Sequence, residues 1–132
     1  MNSRDNLRYS YFPGCAVITT AWESNQSLMR ACQVLGLDLQ ELEDWNCCGS
    51  TSAFTIDPDL GFNLSARNLS LADPHRPLLV MCPRCLHHLR ETHRILRQDK
   101  IRRRSQERRW GRPISPDLKI MHFLEAVVKL QP

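Results

Sequence analysis

No stretch of this chain approaches the roughly 20 consecutive apolar residues that a membrane-spanning helix needs. The opening Met1-Asn2-Ser3-Arg4-Asp5-Asn6 is polar and has no apolar core, so no secretory leader is expected. The chain has no internal repeat and no low-complexity linker, which argues against solenoids and tethered domains. It also lacks a phosphate-cradling glycine loop, a flavin or nicotinamide fingerprint and a credible Ser-His-Asp set. These absences remove the nucleotide-dependent and serine-hydrolase classes. They leave the cytoplasm as the expected compartment, where thiols stay reduced.

What is present fits one domain over residues 1–132, long enough to bury a real core, with 42% hydrophobic and 24% charged residues. The formal charge of +4 is unevenly spread. Lys100, Arg102, Arg103, Arg104, Arg108, Arg109 and Arg112 stand against Glu107 alone, a net +6 over residues 100–112 that leaves the rest slightly acidic. Such a charge run reads first as a solvated helix extension or loop. It also suits docking to an acidic partner subunit or to the surface of a membrane. Nucleic-acid binding is not expected, because Trp110 is the segment's only aromatic and no recognition motif accompanies it.

Leu7–Phe12, Leu37–Leu42, Leu78–Met81 and Leu118–Met121 read as short buried strands. Helical patterns lie between them. Ala21, Leu28, Ala31 and Leu35 share a face and stop at Gly36. Asp57-Pro58 is a cap followed by a first-turn proline, opening a helix to about Ala72. Leu86, Leu89, His93 and Leu96 recur at helical spacing, and His122 to Leu130 forms a short apolar helix. Strands alternating with helices predict an α/β fold: a short, mostly parallel sheet flanked by helices. In such sheets ligands gather beyond the carboxyl ends of the strands.

The cysteines fall at those ends. Cys15 follows the first predicted strand, Cys47-Cys48-Gly49 the second and Cys82-Pro83-Arg84-Cys85 the third. Three distant stretches thus converge on one sheet edge. Cys82 and Cys85 alone would suit zinc, an iron–sulfur cluster or a redox dithiol. Neighbouring side chains of extended chain point to opposite faces, so Cys47 and Cys48 can serve one site only at a turn, which Gly49 permits. A tetrahedral zinc or a cubane cluster needs four ligands. The fifth cysteine needs a reason, and a cluster with bridging thiolates would provide one, whereas a zinc site would leave one thiol spare.

The pattern Tyr11-Phe12-Pro13-Gly14-Cys15, Cys47-Cys48-Gly49 and Cys82-Pro83-Arg84-Cys85 resembles the cysteine-rich CCG domain of the heterodisulfide reductase B-subunit family. Ala66-Arg67-Asn68-Leu69 and Ile120-Met121-His122-Phe123-Leu124-Glu125 extend the likeness over nearly the whole chain. The resemblance implies a noncubane [4Fe–4S] cluster held by Cys15, Cys47, Cys48, Cys82 and Cys85. It implies disulfide reduction, or electron transfer in related sulfur, lactate, glycolate and succinate oxidoreductases. That family usually carries the motif twice, and here it occurs once. The implied partners are therefore a second CCG domain or subunit and the iron–sulfur and flavoprotein subunits of a complex. The domain alone is not expected to be catalytic.

The plainer alternative is a zinc-stabilised assembly module without redox activity. Cys32 sits inside the first helical pattern and reads as core filling. His87 and His88 follow Cys85, and His122 follows the fourth strand. All three are candidates for hydrogen bonds around the site, weighed against mere exposure for the pair and a packing role for His122.

Overall fold

In the computed structural model, which describes residues 7–14, 22–49 and 52–130, four strands pair in parallel in the order β2-β1-β3-β4. They are β1 (Arg8–Phe12), β2 (Asp38–Glu41), β3 (Leu78–Val80) and β4 (Ile120–His122). The register runs straight across β1, β3 and β4. Ser10, Leu78 and Ile120 form one row, Tyr11, Leu79 and Met121 the next, and Phe12, Val80 and His122 the last.

Period-two alternation gives the sheet two buried faces. Phe12, Leu78, Val80 and Ile120 pack with Phe62, Ala66, Leu69, Leu89 and Leu96 on one side. Tyr9, Tyr11, Leu79 and Met121 pack with Leu28, Cys32, Leu37 and Ala126 on the other. The helices are α1 (Trp22–Leu35), α2 (Ser52–Ile56), α3 (Pro58–Leu71), α4 (Pro83–Gln98), α5 (Lys100–Trp110) and α6 (Phe123–Val128), of which α1, α3, α4 and α6 supply the helical residues just named. No helix among the described residues is long and apolar enough to cross a membrane.

Local chemistry explains the helix ends. The Asp57 carboxylate accepts from Asp59 N at 3.0 Å, with Pro58 in the first turn, so α3 starts where the sequence predicts. Gly36 takes φ +75° after α1, the left-handed conformation in which a glycine ends a helix. Within α1 the residues that reach the core are Leu28 and Cys32, whereas Leu35 is exposed and Ala21 lies outside the described residues.

Three expectations need adjusting. The segment Leu37–Leu42 was expected to be a buried strand, but β2 is the sheet's edge. Its residues are mostly exposed, and only the flanking Leu37 and Leu42 are buried. The last strand runs Ile120–His122 rather than from Leu118, because Leu118 belongs to the buried turn that enters it. The basic segment is a helix in its own right. Asp99 separates α4 from α5 and caps α5 by accepting from Arg102 N at 3.0 Å, and Gly111 ends it at φ +69°.

The turn before β4 is tied to α4 by a buried histidine. His93 Nε2 lies 2.9 Å from Ser115 O, which makes it the protonated nitrogen of a neutral ring. Burial is the main cause holding its pKa below the ordinary histidine value. The Arg97 charge works in the same sense, against the Ser115 carbonyl and Asp117. The folded protein therefore takes up this proton less readily than the unfolded chain. His93's contribution to stability is fully present above about pH 6.5 and is lost as pH falls through the lower folded value. Urea unfolding between pH 7.5 and 5.5 should show that loss. His93→Gln, which keeps a donor and cannot titrate, should flatten the curve in this window. An unchanged slope would remove His93 as its source.

Candidate metal centre

The segment from Leu42 to Gly49 carries Cys47 and Cys48 and is irregular, so its shape must come from outside it. It leaves the sheet through a hydrogen bond from Leu42 N to Tyr11 O at 2.9 Å. Trp45 then packs edge-on to Phe12, with ring centroids 5.4 Å apart. From there on α3 dictates the path. Asn68 is fully buried, and its amide pairs with one residue's backbone. Its Oδ1 accepts from Asn46 N at 3.0 Å, and its Nδ2 donates to Asn46 O at 2.8 Å. Asn46 Nδ2 reaches back to Leu64 O at 3.1 Å. Arg67 donates to Asp44 O and Asn46 Oδ1, both at 2.7 Å, and to the Asp44 carboxylate at 2.6 Å. These contacts hold Asp44 at φ 58°, a left-handed conformation that a residue with a Cβ rarely adopts.

One turn earlier on α3, Ser65 Oγ donates to Cys48 O at 2.6 Å. One turn before that, two glycines meet. Gly49 has φ +78°, and a Cβ there would lie 2.8 Å from Gly61 Cα and 3.0 Å from Gly61 O. Residues 61, 64, 65, 67 and 68 thus lay one side of α3 along the loop as a splint, which turns the Cys48 sulfur into the interior. Cys48 is 2% exposed, whereas Cys47 is half-buried and accepts from Gly49 N at 3.4 Å.

Cys82 and Cys85 are placed by β3 and α4. Cys82 is the residue at which α4 begins, and its thiol makes no capping bond. With Pro83 next, Cys85 falls in the first helical turn, buried against the same core as Cys48. His122 anchors the approach to this turn. Its Nδ1 accepts from Leu124 N at 3.2 Å, which leaves Nε2 to donate to Met81 O at 2.8 Å. Arg90 fastens the end of β4 by donating twice to Ile120 O, at 3.0 and 2.8 Å, and to Glu125 at 2.8 Å. Glu125 in turn accepts from His122 N at 3.2 Å.

These scaffolds bring two of the cysteine motifs into contact. The Cys48 and Cys85 sulfurs lie 3.2 Å apart and share a hydrogen bond. The Cys85 pKa is pushed well above the ordinary thiol range. The hydrogen bond with Cys48 is the largest cause, followed by burial and by the neighbouring Cys48 and Cys82 sulfurs. Cys15 lies outside the described residues. The backbone leading to it runs against the site: at Gly14, φ +80°, an added Cβ would sit 3.4 Å from Cys85 Sγ. Cys32 belongs to the cluster on the opposite face of the sheet and is 2% exposed, the core role expected for it. His88 Nε2 lies 3.4 Å from Gly61 O, and His87 is exposed.

Among the described residues no three His, Cys, Asp or Glu side chains form a ready cage for a metal ion. What gathers is sulfur: every group acting on the Cys85 thiol is another cysteine. Thiols this close cannot all ionise without a cation between them, and thiolates are the soft ligands that suit iron or zinc rather than magnesium or calcium. The donor set therefore fits a thiolate-held metal. Sequence reasoning identified the cysteines but assigned no task to Gly61, Ser65 or Asn68. The available signal was Asn68 standing between Ala66 and Leu69, two apolar positions of the same helix.

The profile of the CCG family, described as a cysteine-rich domain, matches residues 9–90. Over 79 residues the chain is 40% identical to the 8-methylmenaquinol:fumarate reductase membrane anchor subunit of Wolinella succinogenes. The aligned span is 59% of this chain and 28% of that subunit, so the chain matches little more than a quarter of its relative.

The splint makes a quantitative expectation. Gly49→Ala combines the left-handed penalty of about 1–2 kcal/mol with overpacking of about 1–3 kcal/mol. Gly36→Ala has a similar φ of +75° but meets nothing within 4 Å, so it should show the first cost alone. Asn68→Ala strips partners from both backbone groups of Asn46, at about 1–3 kcal/mol for each group left buried and unpaired. Equal losses for the two glycine variants in urea unfolding would contradict the close approach of Gly49 to α3.

Proposed function

The chain belongs to the CCG cysteine-rich domain family, and on that premise we propose that it is an iron–sulfur electron-transfer domain of a multi-subunit reductase. The observation that carries this reading is the meeting of Cys48 and Cys85. Residues 37 apart in sequence place their sulfurs 3.2 Å apart, buried, past the carboxyl ends of the strands. In our reading Cys15, Cys47, Cys48, Cys82 and Cys85 hold a noncubane [4Fe–4S] cluster, which when bound supplies one-electron chemistry. The chain's own groups do the rest. The start of α4, the helix's positive dipole end, lies at Cys82 and Cys85 and suits an anionic thiolate-held cluster there. The α3 splint holds Cys48 inward and leaves Cys47 nearer the surface. His122 sets the residue before Cys82 through the Met81 carbonyl.

The motif resembles that of the heterodisulfide reductase B-subunit family, while the curated relative is part of a quinol:fumarate reductase. Both readings share the electron-transfer role and differ in the terminal reaction. We assign the domain to a cytoplasmic position in such a complex, working beside a second CCG domain or subunit and the complex's iron–sulfur and flavoprotein subunits. Disulfide reduction needs two electrons, which one such cluster delivers singly. The partners follow from that mismatch.

Anaerobic purification followed by iron, sulfide and zinc analysis tests the assignment. Iron and labile sulfide are expected in near-equal amounts. Cys48→Ser and Cys85→Ser should lose most of both and melt earlier, because assembling the ligands and folding are coupled. Cys32→Ser should keep its iron. Stoichiometric zinc without sulfide would replace the proposal with a structural metal site. The reconstituted domain given an artificial low-potential donor should reduce a disulfide or fumarate negligibly, and sustained turnover would refute the need for partner subunits.

A further inference from the structure

The ion pairs of the described residues are unevenly distributed. Arg67, Arg76, Arg90, Arg94 and Arg103 each have a carboxylate partner: Asp44, Asp73, Glu125, Glu91 and Glu107. Helix α5 divides its cations by direction. On its inner side, Gln106 is buried and donates to Asn63 Oδ1 of α3 at 2.7 Å, and it accepts from Trp110 Nε1 at 3.1 Å. Arg102 lies 4.0 Å over the Phe62 ring of α3, and Arg103 pairs with Glu107. The opposite face carries Lys100, Arg104 and Arg108, one above another at four-residue spacing, whereas the Arg109 guanidinium lies 5.9 Å from the Trp110 ring. The row continues past the helix end to Arg112. There Arg104, Arg108 and Arg112, together with Glu107, Gly111 and Pro113, line a shallow groove of about 420 Å³. Ile101, 81% exposed, sits among these cations.

This arrangement works against the helix that carries it. Like charges four residues apart repel, and Lys100, Arg102 and Arg103 stand in the first turn, where the helix dipole disfavours cations. Such a local conflict is accounted for if the charge meets its complement outside the chain. We propose that the outer face of α5 is the docking surface for an acidic segment of a partner protein, one presenting carboxylates at helical spacing. Two features select protein over lipid. The helix has no apolar stripe to insert, since Ile101 faces outward and Trp110 is tied to the inner side. Its exposed cations are mostly guanidinium forks, which grip carboxylates in bidentate pairs. The helix lies beyond residue 90, where the family match ends, yet it packs on α3, the helix that shapes the cysteine loop. A partner held here is brought within one helix layer of the cysteines. The docking does not depend on which metal they hold.

The test uses the full chain with its metal as isolated and a fluorescent helical peptide bearing glutamates at i, i+4 and i+8. Salt-sensitive binding is expected, weakened several-fold when the same glutamates are scattered around the helix. Lys100→Glu, Arg104→Glu and Arg108→Glu together should weaken binding tenfold or more with iron content unchanged. The triple glutamine variant, which removes charge without reversing it, should do the same to a lesser extent. Reversing Arg30, Arg97 and Lys119, exposed cations off this face, changes net charge equally and should have less than a threefold effect. Equal losses from the two reversals, or indifference to glutamate spacing, would overturn the proposal. So would preferential binding to phosphatidylserine vesicles or to a short DNA duplex.

Discussion

Asn68 has no contact with solvent, and both ends of its amide are used on the backbone of Asn46. A buried side-chain amide is costly unless satisfied, and an irregular loop has backbone groups that need partners just as badly. Each solves the other's problem. Because the exchange uses one N–H and one C=O of a single residue, it fixes the loop in both position and direction. The Ser65 contact to Cys48 O and the Gly49–Gly61 approach then follow at successive turns of the same helix. No buried side-chain nitrogen or oxygen among the described residues lacks a partner, so this loop is held without local loss elsewhere.

That constraint sets what the thiols can do. Cys48 and Cys85 are delivered by different elements to one apolar pocket, where two neutral thiols can share a hydrogen bond but two thiolates would repel. A cation between the sulfurs would offset that repulsion, which is the chemistry the proposed cluster supplies. Burial removes competing water, and the first turn of α4 adds its positive end nearby. Cys47 and Cys82 are half-buried, whereas Cys48 and Cys85 are buried.

The charge layout separates two tasks. Around the cysteines, ion pairs and polar bonds are closed within the chain: Arg67 with Asp44 at the loop, and Arg90 with Glu125 behind His122. On α5, Arg102, Arg103 and Arg109 are engaged by Phe62, Glu107 and Trp110, while Lys100, Arg104 and Arg108 on the outer face have no carboxylate partner among the described residues. Closed pairs hold a geometry, whereas open charge of one sign speeds and orients encounters. The Arg67–Asp44 pair and α5 both attach to α3, which has the cysteine loop on one side and α5 on another.

The cysteine pattern, the strand–helix alternation and the capped start of α3 were legible in the sequence because each rests on local chemistry: spacing, period, or a side chain within two residues of its partner. The same holds for Cys32, whose helical position marked it as core. The edge position of β2 was not legible. Leu37 and Leu42 look alike in sequence whether or not a further strand pairs beyond them, and only the strand order decides. Nor could the sequence say which arginines of the basic segment are open, since that depends on which side of α5 meets Phe62 and Asn63. The roles of Asn68, Ser65 and Gly61 were likewise set by tertiary structure. Their partners lie 12 to 22 residues away, and a hydrogen bond across that distance leaves no periodic trace. The sequence by itself determined which atoms could bind a metal. The packing of α3 against the loop decided where the Cys47 and Cys48 sulfurs stand, and β3 and α4 decided it for Cys82 and Cys85.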